Sequence, residues 1–249
     1  MFQFAPIGVV HSCFREKFGI PRQPGLVPAA RATLELLPPY NQPAAVRGLE
    51  GFSHLWLLFV FHGVPAGRWR ATVRPPRLGG NRRLGVFATR STFRPNPIGL
   101  TAVKLDHIAV RRGQVALHLA GVDLLDGTPV LDIKPYLPYA DRIVEAVGGF
   151  AAAAPETGLT VEFSPAASAF CAAWPGGGDL RELINQILRQ DPRPAYERAS
   201  PSPRLHGMRL HDLDVRWEIR DGVARVIEIA AAGEDSTAFR RQERDGISR

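Results

Sequence analysis

Cysteine is nearly missing from this chain of 249 residues: Cys13 and Cys171 are far apart and form no CxxC pair. That spacing supports neither a disulfide framework nor a structural zinc site. Histidines 11, 54 and 62 match no common ligand spacing around Cys13, so no metal is expected. Long apolar runs are missing too. The longest, Leu55 to Phe61, is far shorter than the ~20 residues that cross a bilayer. The opening MFQFAPIGVVHS has no basic n-region and no cleavage site, and the expectation is a cytoplasmic protein with no membrane partner. Three motifs are absent as well: G-x-x-x-x-G-K-[ST], a G-x-G-x-x-G between strand and helix, and G-x-S-x-G. Their absence removes support for a P-loop NTPase, a Rossmann enzyme and a serine hydrolase.

One charge sign is missing from a long stretch. No acidic residue occurs between Glu50 and Asp106, whereas Arg68, Arg70, Arg74, Arg77, Arg82, Arg83, Arg90, Arg94 and Lys104 all fall there. The whole chain carries 31 Lys and Arg against 24 Asp and Glu, a formal charge of +7, so the imbalance is concentrated in this window. A solubilising surface mixes both signs. This stretch reads instead as a surface facing a polyanion.

What is present is a soluble globular composition, 45% hydrophobic and 22% charged. Short apolar segments at 6–13, 55–61, 84–88, 100–110, 114–122 and 129–133 are separated by Gly and Pro turns and read as strands, with little helical periodicity before residue 140. Within 114–119, Val115, Leu117 and Leu119 alternate with Gln114, Ala116 and His118, which puts them on opposite faces. The expected fold is mainly β, an N-terminal antiparallel barrel over residues 1–147 with a small α+β domain over 158–233 and a disordered tail at 234–249. GGFAAAAPETG marks the boundary. Beyond it, LTVEF reads as a strand and 165–174 as a helix. A second helix spans 179–190, with Asp179 as N-cap and an apolar stripe at Leu180, Leu183, Ile184, Ile187 and Leu188. DPRPAYERASPSPRLHG is expected to be loop, and HDLDVRWEI and GVARVIEIA a hairpin turning at Arg220, Asp221 and Gly222.

Three loops, PRQPG (21–25), ATRSTFRPNPIGLT (88–101) and LDGTPV (125–130), offer backbone donors and acceptors held by Pro and Gly. The last alone is a plain tight turn. Together they suit a small ligand bound beside a polyanion track. His62, at the end of LWLLFVF and followed by Gly63, sits where a barrel rim binds ligands, although an imidazole there can equally satisfy a backbone carbonyl.

PRQPGLV, PPYNQPAAVRGLEGFSHLWLLFVFH, VRPPRLGG, GVFATRSTFRPNPIGLT and DLLDGTPVLDIKPYLPYA resemble the TsaA-like domain family over roughly residues 3–140. DPRPAY and LHDLDVRW resemble the second domain that accompanies it. The resemblance implies a homodimeric, S-adenosylmethionine-dependent tRNA methyltransferase built on a β-barrel. Its product would be the N6-methylated form of N6-threonylcarbamoyladenosine at position 37 of threonine tRNAs, beside the anticodon. It further implies cofactor contacts at Pro21, Arg22, Gln23, His62, Gly63, Arg90, Leu100, Asp126, Gly127, Thr128 and Pro129, and tRNA contacts at Arg193 and Tyr196.

Methyl transfer from a sulfonium needs alignment more than a covalent nucleophile, so loops of this kind suffice. The N6 proton needs an acceptor, for which Asp126 is the candidate. The [DN]-P-P-[YF] loop of many adenine-N6 methyltransferases has only an imperfect counterpart in Leu37-Pro38-Pro39-Tyr40. Arg74, Arg77 and Arg94 are the candidates for phosphate contact in the anticodon loop, with Phe93 either stacking on a base or buried. A non-catalytic RNA-binding barrel and a methyltransferase for another modified nucleoside remain as alternatives. Asn96 receives no role.

Overall fold

A computed structural model of the chain describes residues 3–65, 67–155, 158–176, 179–194, 197 and 204–233. Six strands close into an antiparallel barrel: β1 (Gly8–Ser12), β2 (Arg31–Leu36), β3 (His54–Val60), β6 (Ile98–Arg111), β7 (Gln114–Ala120) and β8 (Thr128–Pro135). Their order around the barrel is β1-β2-β7-β6-β3-β8, with β8 pairing back onto β1. The strands alternate as a barrel wall must. Val10, Leu34, Leu55, Leu57, Val103, Val115, Leu117 and Val130 fill the interior, and Gln114 and His118 face outward as their alternation predicts. In β6 a register shift between Leu105 and His107 marks a bulge, which lets this long strand bend around the barrel.

β2 was not legible as a strand in the sequence. RATLEL carries two charges and no β-branched pair, yet Ala32, Leu34 and Leu36 point inward and complete the wall between β1 and β7. The 84–88 segment supplies only a two-residue strand, β5 (Leu84–Gly85), paired with β4 (Thr72–Val73), before a 3-10 turn at Val86–Ala88. Both belong to an excursion over residues 61–97. It leaves the barrel after β3 and returns at β6, where Val60 faces Ile98.

A short helix, α1 (Pro138–Asp141), follows β8. The second sheet has the order β10 (Leu205–Leu210), β11 (Leu213–Arg220), β12 (Val223–Ala231) and β9 (Thr160–Phe163), the last parallel to β12. Helices α2 (Pro165–Ala173) and α3 (Leu180–Arg189) cover it. The Asp179 carboxylate caps α3 by accepting from Glu182 N–H, and the five stripe residues named above are all buried. The sequence placed loop up to Gly207, whereas β10 begins at Leu205 and buries His206, Met208 and Leu210. The stretch expected to be a disordered tail lies outside the described residues.

The segment between β1 and β2 joins the two units. Phe14 bridges to Leu210, His211 N–H donates to Cys13 O at 2.7 Å, and Arg209 N–H donates to Glu16 Oε1 at 2.9 Å. Gln186 of α3 accepts from Ala29 N–H at 2.9 Å. Phe18 stacks against Trp217 with ring centroids 6.5 Å apart, inside an apolar core that is continuous across both units.

Candidate functional site

The ends of β1, β3 and β7 and the starts of β2, β6 and β8 lie together at one end of the barrel, as the antiparallel registers require. A cavity of about 270 Å³ opens there. Four stretches wall it: 17–24 from the connection between β1 and β2, 59–64 at the end of β3, Arg90 and Thr92 from the excursion, and 123–125 with Thr128 before and in β8; Leu100 of β6 completes it. Gln23 and Arg90, far apart in sequence, meet across it, since the Arg90 guanidinium donates to Gln23 Oε1. Lys17 Nζ donates to Gly63 O on the opposite lip.

Glycine decides two of these approaches. Phe59 packs face-on over Gly99, its partner across the β3–β6 ladder, and a Cβ there would sit 2.2 Å from the ring. Phe59 also meets Phe61 edge-to-face at 5.0 Å. A Cβ on Gly63 would come within 3.0 Å of Lys17 Cε.

The cavity's apolar wall is Ile20, Phe59, Leu100, Leu124 and Leu125. Its charges are Lys17, Arg22 and Arg90 on the positive side and Asp123 on the negative. Asp123 accepts a hydrogen bond from Thr101 Oγ1 at 2.6 Å, and burial pushes its carboxyl above the ordinary range. His62 is exposed at the rim, its Nδ1 3.5 Å from Thr128 Oγ1. The Thr128 hydroxyl gives its proton to Leu125 O at 2.6 Å, so toward His62 its oxygen can only accept. A hydrogen bond between the two would put the hydrogen on imidazole Nδ1 and leave Nε2 as the acceptor. Among the described residues no three His, Cys, Asp or Glu side chains come close enough to hold a metal ion.

Of the residues expected at a ligand site, the structure gathers Pro21, Arg22, Gln23, His62, Gly63, Arg90, Leu100 and Thr128 around this cavity. Asp126, Gly127 and Pro129 do not line it. Asp126 points toward β1, where Ser12 N–H donates to its Oδ1 at 2.9 Å and Arg15 binds its Oδ2. Gly127 takes a φ of +78° in the turn and donates to Val10 O, while Pro129 pairs with Val9 in the ladder. These contacts fix the turn that carries Leu125 and Thr128. The sequence reading missed Lys17, Phe59, Thr92 and Asp123. An acid inside the otherwise apolar run GVDLL was the available signal for the last of these.

The expected anion-facing arginines divide. Arg74 is exposed and, among the described residues, makes no ion pair or side-chain hydrogen bond, as is also true of Arg68 and Arg82. Trp69 and Phe87 stand exposed among them. Arg77 donates to Ala153 O. Arg94 is turned inward: it donates to Thr89 O at 2.8 Å and Val86 O at 3.3 Å and lies 5.7 Å from the Phe87 ring, so it staples the excursion. Phe93 is half-buried under the Arg70 guanidinium at 5.1 Å. In the C-terminal unit Arg193 binds Asp191 through Nε and Nη2 at 2.9 and 3.0 Å with little exposure. Tyr196 lies outside the described residues.

A closed antiparallel barrel with a loop-built cavity at one end and a basic excursion beside it defines a class of small-ligand-binding barrel proteins. The profile of the tRNA-methyltransferase O N-terminal domain matches residues 9–142, and that of the TrmO C-terminal domain matches 156–232. The Escherichia coli tRNA (adenine(37)-N6)-methyltransferase is 50% identical over 224 residues, 88% of this chain and 94% of that protein. A Pseudomonas aeruginosa protein named provisionally as an S-adenosylmethionine-dependent methyltransferase, RcsF, is 55% identical over 231 residues, 91% of this chain and 96% of its own length. The crystal structure of TrmO from Pseudomonas aeruginosa superposes with a TM-score of 0.76 at 47% identity, covering 93% of this chain and 99% of the other. The chain belongs to the TrmO family.

Proposed function

We propose that the chain transfers a methyl group from S-adenosylmethionine to N6 of the adenosine at tRNA position 37, the reaction named for its Escherichia coli relative, and that this adenosine carries a threonylcarbamoyl group, in threonine tRNAs. The observation that carries the proposal is the convergence of Pro21–Gln23, His62–Gly63, Arg90, Leu100 and Thr128 on one cavity beside an acid-free basic excursion. The residues present fit the cofactor. Lys17, Arg22 and Arg90 can take a carboxylate, and Ile20, Phe59, Leu124 and Leu125 offer a wall for an adenine ring.

When bound, S-adenosylmethionine supplies an electrophilic methyl on a sulfonium, so the chain has to align rather than attack. The Gln23–Arg90 contact ties two of the walls together and fixes the width of the cavity. Asp126 is committed to Arg15 and Ser12. In this reading it holds the 125–128 turn, and the N6 proton passes instead to His62 Nε2, which is exposed at the rim with its tautomer set by Thr128.

Residues 1–147 serve the cofactor and 158–233 add tRNA contact. Arg68, Arg74, Arg82 and Arg83 meet phosphates, while Trp69 and Phe87 are placed to stack on unpaired bases. Arg193, locked on Asp191, shapes the 191–194 turn. A homodimer is supported by Tyr139, Ile143, Val144 and Val147, four large apolar side chains left exposed after β8. No helix among the described residues is long and apolar enough to cross a membrane. A tRNA substrate supports a cytoplasmic location.

Calorimetry with S-adenosylmethionine separates this reading from a non-catalytic RNA-binding barrel, which gives no cofactor heat. Mass spectrometry of anticodon-loop nucleosides from a deletion strain tests the substrate. An unchanged methylated threonylcarbamoyladenosine peak would assign the enzyme to another nucleoside.

A further inference from the structure

We propose that Asp123 is the counter-charge for a cationic group on the methionine end of the cofactor, either the α-ammonium or the sulfonium, and so selects the cofactor at this cavity. The proposal rests on the cofactor reading above. Asp123 lies between Val122 and Leu124, both fully buried, in the connection from β7 to β8. Its one side-chain partner is the buried Thr101 hydroxyl at 2.6 Å, and among the described residues no Lys, Arg or His comes within 4.0 Å of its carboxylate. Such a group is under-compensated, because a part-buried carboxylate whose donors, the Thr101 hydroxyl and its own backbone N–H, are both neutral costs free energy that a cation recovers. Burial raises its pKa, which is the electrostatic signature of that deficit.

The other charges of the cavity sharpen the assignment. Lys17, Arg22 and Arg90 line the same space, and all three repel a cation. Arg90 is the one with a lowering effect on the Asp123 pKa, but its guanidinium is engaged by Gln23 and stays beyond ion-pair distance. S-adenosylmethionine brings one carboxylate and two cationic centres. The carboxylate has three basic side chains to choose from, whereas Asp123 is the one formal negative charge that lines this cavity.

A purely structural carboxylate would behave differently. If the Thr101–Asp123 contact existed to brace β6 against the 121–127 connection, removing the charge would weaken the ligand-free fold. A counter-charge kept for a ligand predicts the reverse, since Asp123→Asn retains an acceptor for Thr101 and deletes a part-buried charge that has no ion-pair partner among the described residues.

The test uses the full chain as Asp123→Asn and as Thr101→Val. Each is titrated calorimetrically with S-adenosylmethionine and with S-adenosylhomocysteine, which keeps the ammonium but lacks the sulfonium, and melted without ligand. Asp123→Asn is expected to melt at or above the wild type and to lose about ten- to a hundredfold in S-adenosylmethionine affinity, the range of one charge-assisted contact. An equal loss for both ligands puts the ammonium at Asp123, and a loss confined to S-adenosylmethionine puts the sulfonium there. Wild-type affinity for both ligands, or a lower melting point without ligand, overturns the proposal. If Asp123→Asn does not fold, Thr101→Val decides: it keeps the carboxylate but unfixes it, so several-fold weaker binding supports the assignment and unchanged binding rejects it. A wild-type chain that gives no heat with S-adenosylmethionine would reject the cofactor reading itself, a result distinct from any of these.

Discussion

Gly99→Ala is a one-carbon change whose consequence can be worked out from the packing. Gly99 and Phe59 are direct partners in the β3–β6 ladder, and the Phe59 ring covers the bare Cα. The new Cβ would lie 2.2, 2.5 and 2.6 Å from three ring carbons, against the 3.4 Å at which ordinary contact begins. The ring is buried and held edge-to-face by Phe61 at 5.0 Å, so it cannot yield without moving a second aromatic. Its open side is the cavity that it helps to line. Overpacking of this degree costs ~1–3 kcal/mol. In a chain of this length that is a fall in melting temperature of roughly 2–12 °C, and a ring displaced into the cavity also weakens S-adenosylmethionine binding. The assay is a melting curve together with calorimetry on Gly99→Ala, Phe59→Leu and the double variant. Phe59→Leu removes the ring carbons that clash, so the double variant is expected to recover most of what Gly99→Ala loses, a coupling of about 1–3 kcal/mol between the sites. If Gly99→Ala melts with the wild type and binds cofactor normally, or if Phe59→Leu adds its cost instead of relieving it, the close packing is not what holds this wall.

His62→Gln keeps a polar side chain at the rim but cannot accept a proton at Nε2. It should lower the single-turnover methylation rate by ~10²-fold or more while changing S-adenosylmethionine affinity by only a few-fold, and equal losses in both would remove the proton-acceptor role. Arg74→Ala and Arg82→Ala should weaken tRNA binding and each reduce the slope of log affinity against log salt by about 0.7, leaving cofactor affinity unchanged. Arg94→Ala, which unfastens the Thr89 and Val86 carbonyls, should instead destabilise the excursion and cost cofactor affinity through Arg90. The Cys13 thiol, whose pKa burial pushes from 9.0 up to about 12, should resist alkylation at pH 8.5 until the chain unfolds. Because the folded pKa is the higher one, the stability it contributes is complete below about pH 9 and is lost as pH rises toward 12. Ready alkylation of the native protein would contradict the burial.

The barrel was legible where strands are apolar on one face and bounded by turns, as in β3, β6 and β7. β2 was hidden because Arg31 and Glu35 interrupt a short run whose inward set is only Ala32, Leu34 and Leu36. β10 was hidden because its Leu-His-Gly opening follows a proline-rich loop, and what makes it a strand is pairing with β11 across a turn with His211 at positive φ. The cavity loops could be read because proline and glycine announce a fixed backbone, but their facing could not. Asp123 and Asp126 are three residues apart, and only the turn geometry sends one toward the cavity and the other to Arg15. In the same way the arginines of the excursion look alike in sequence. Which of them are free for a phosphate follows from the carbonyls that the fold leaves within reach, as Arg94 shows.

The connection between β1 and β2 links the cavity to the C-terminal unit. One side of this stretch supplies Lys17 and Ile20–Pro24 to the cavity, and its other side supplies Phe14, Glu16 and Phe18 to the second sheet. Gly19 sits between them at a φ of +89°, with Met208 3.5 Å from where a Cβ would be. A strand-like connection would bury one face only, and this left-handed kink lets consecutive residues face both ways. This wall of the cavity is therefore fastened to the C-terminal unit by backbone hydrogen bonds as well as apolar contact. Loosening the second sheet should open the cavity even though no residue of that sheet lines it. Met208→Ala, which deletes a fully buried side chain behind Gly19, is the direct probe: cofactor affinity should fall along with stability, while a stability loss of ~2–5 kcal/mol with cofactor affinity intact would show that the two units fold together but bind independently.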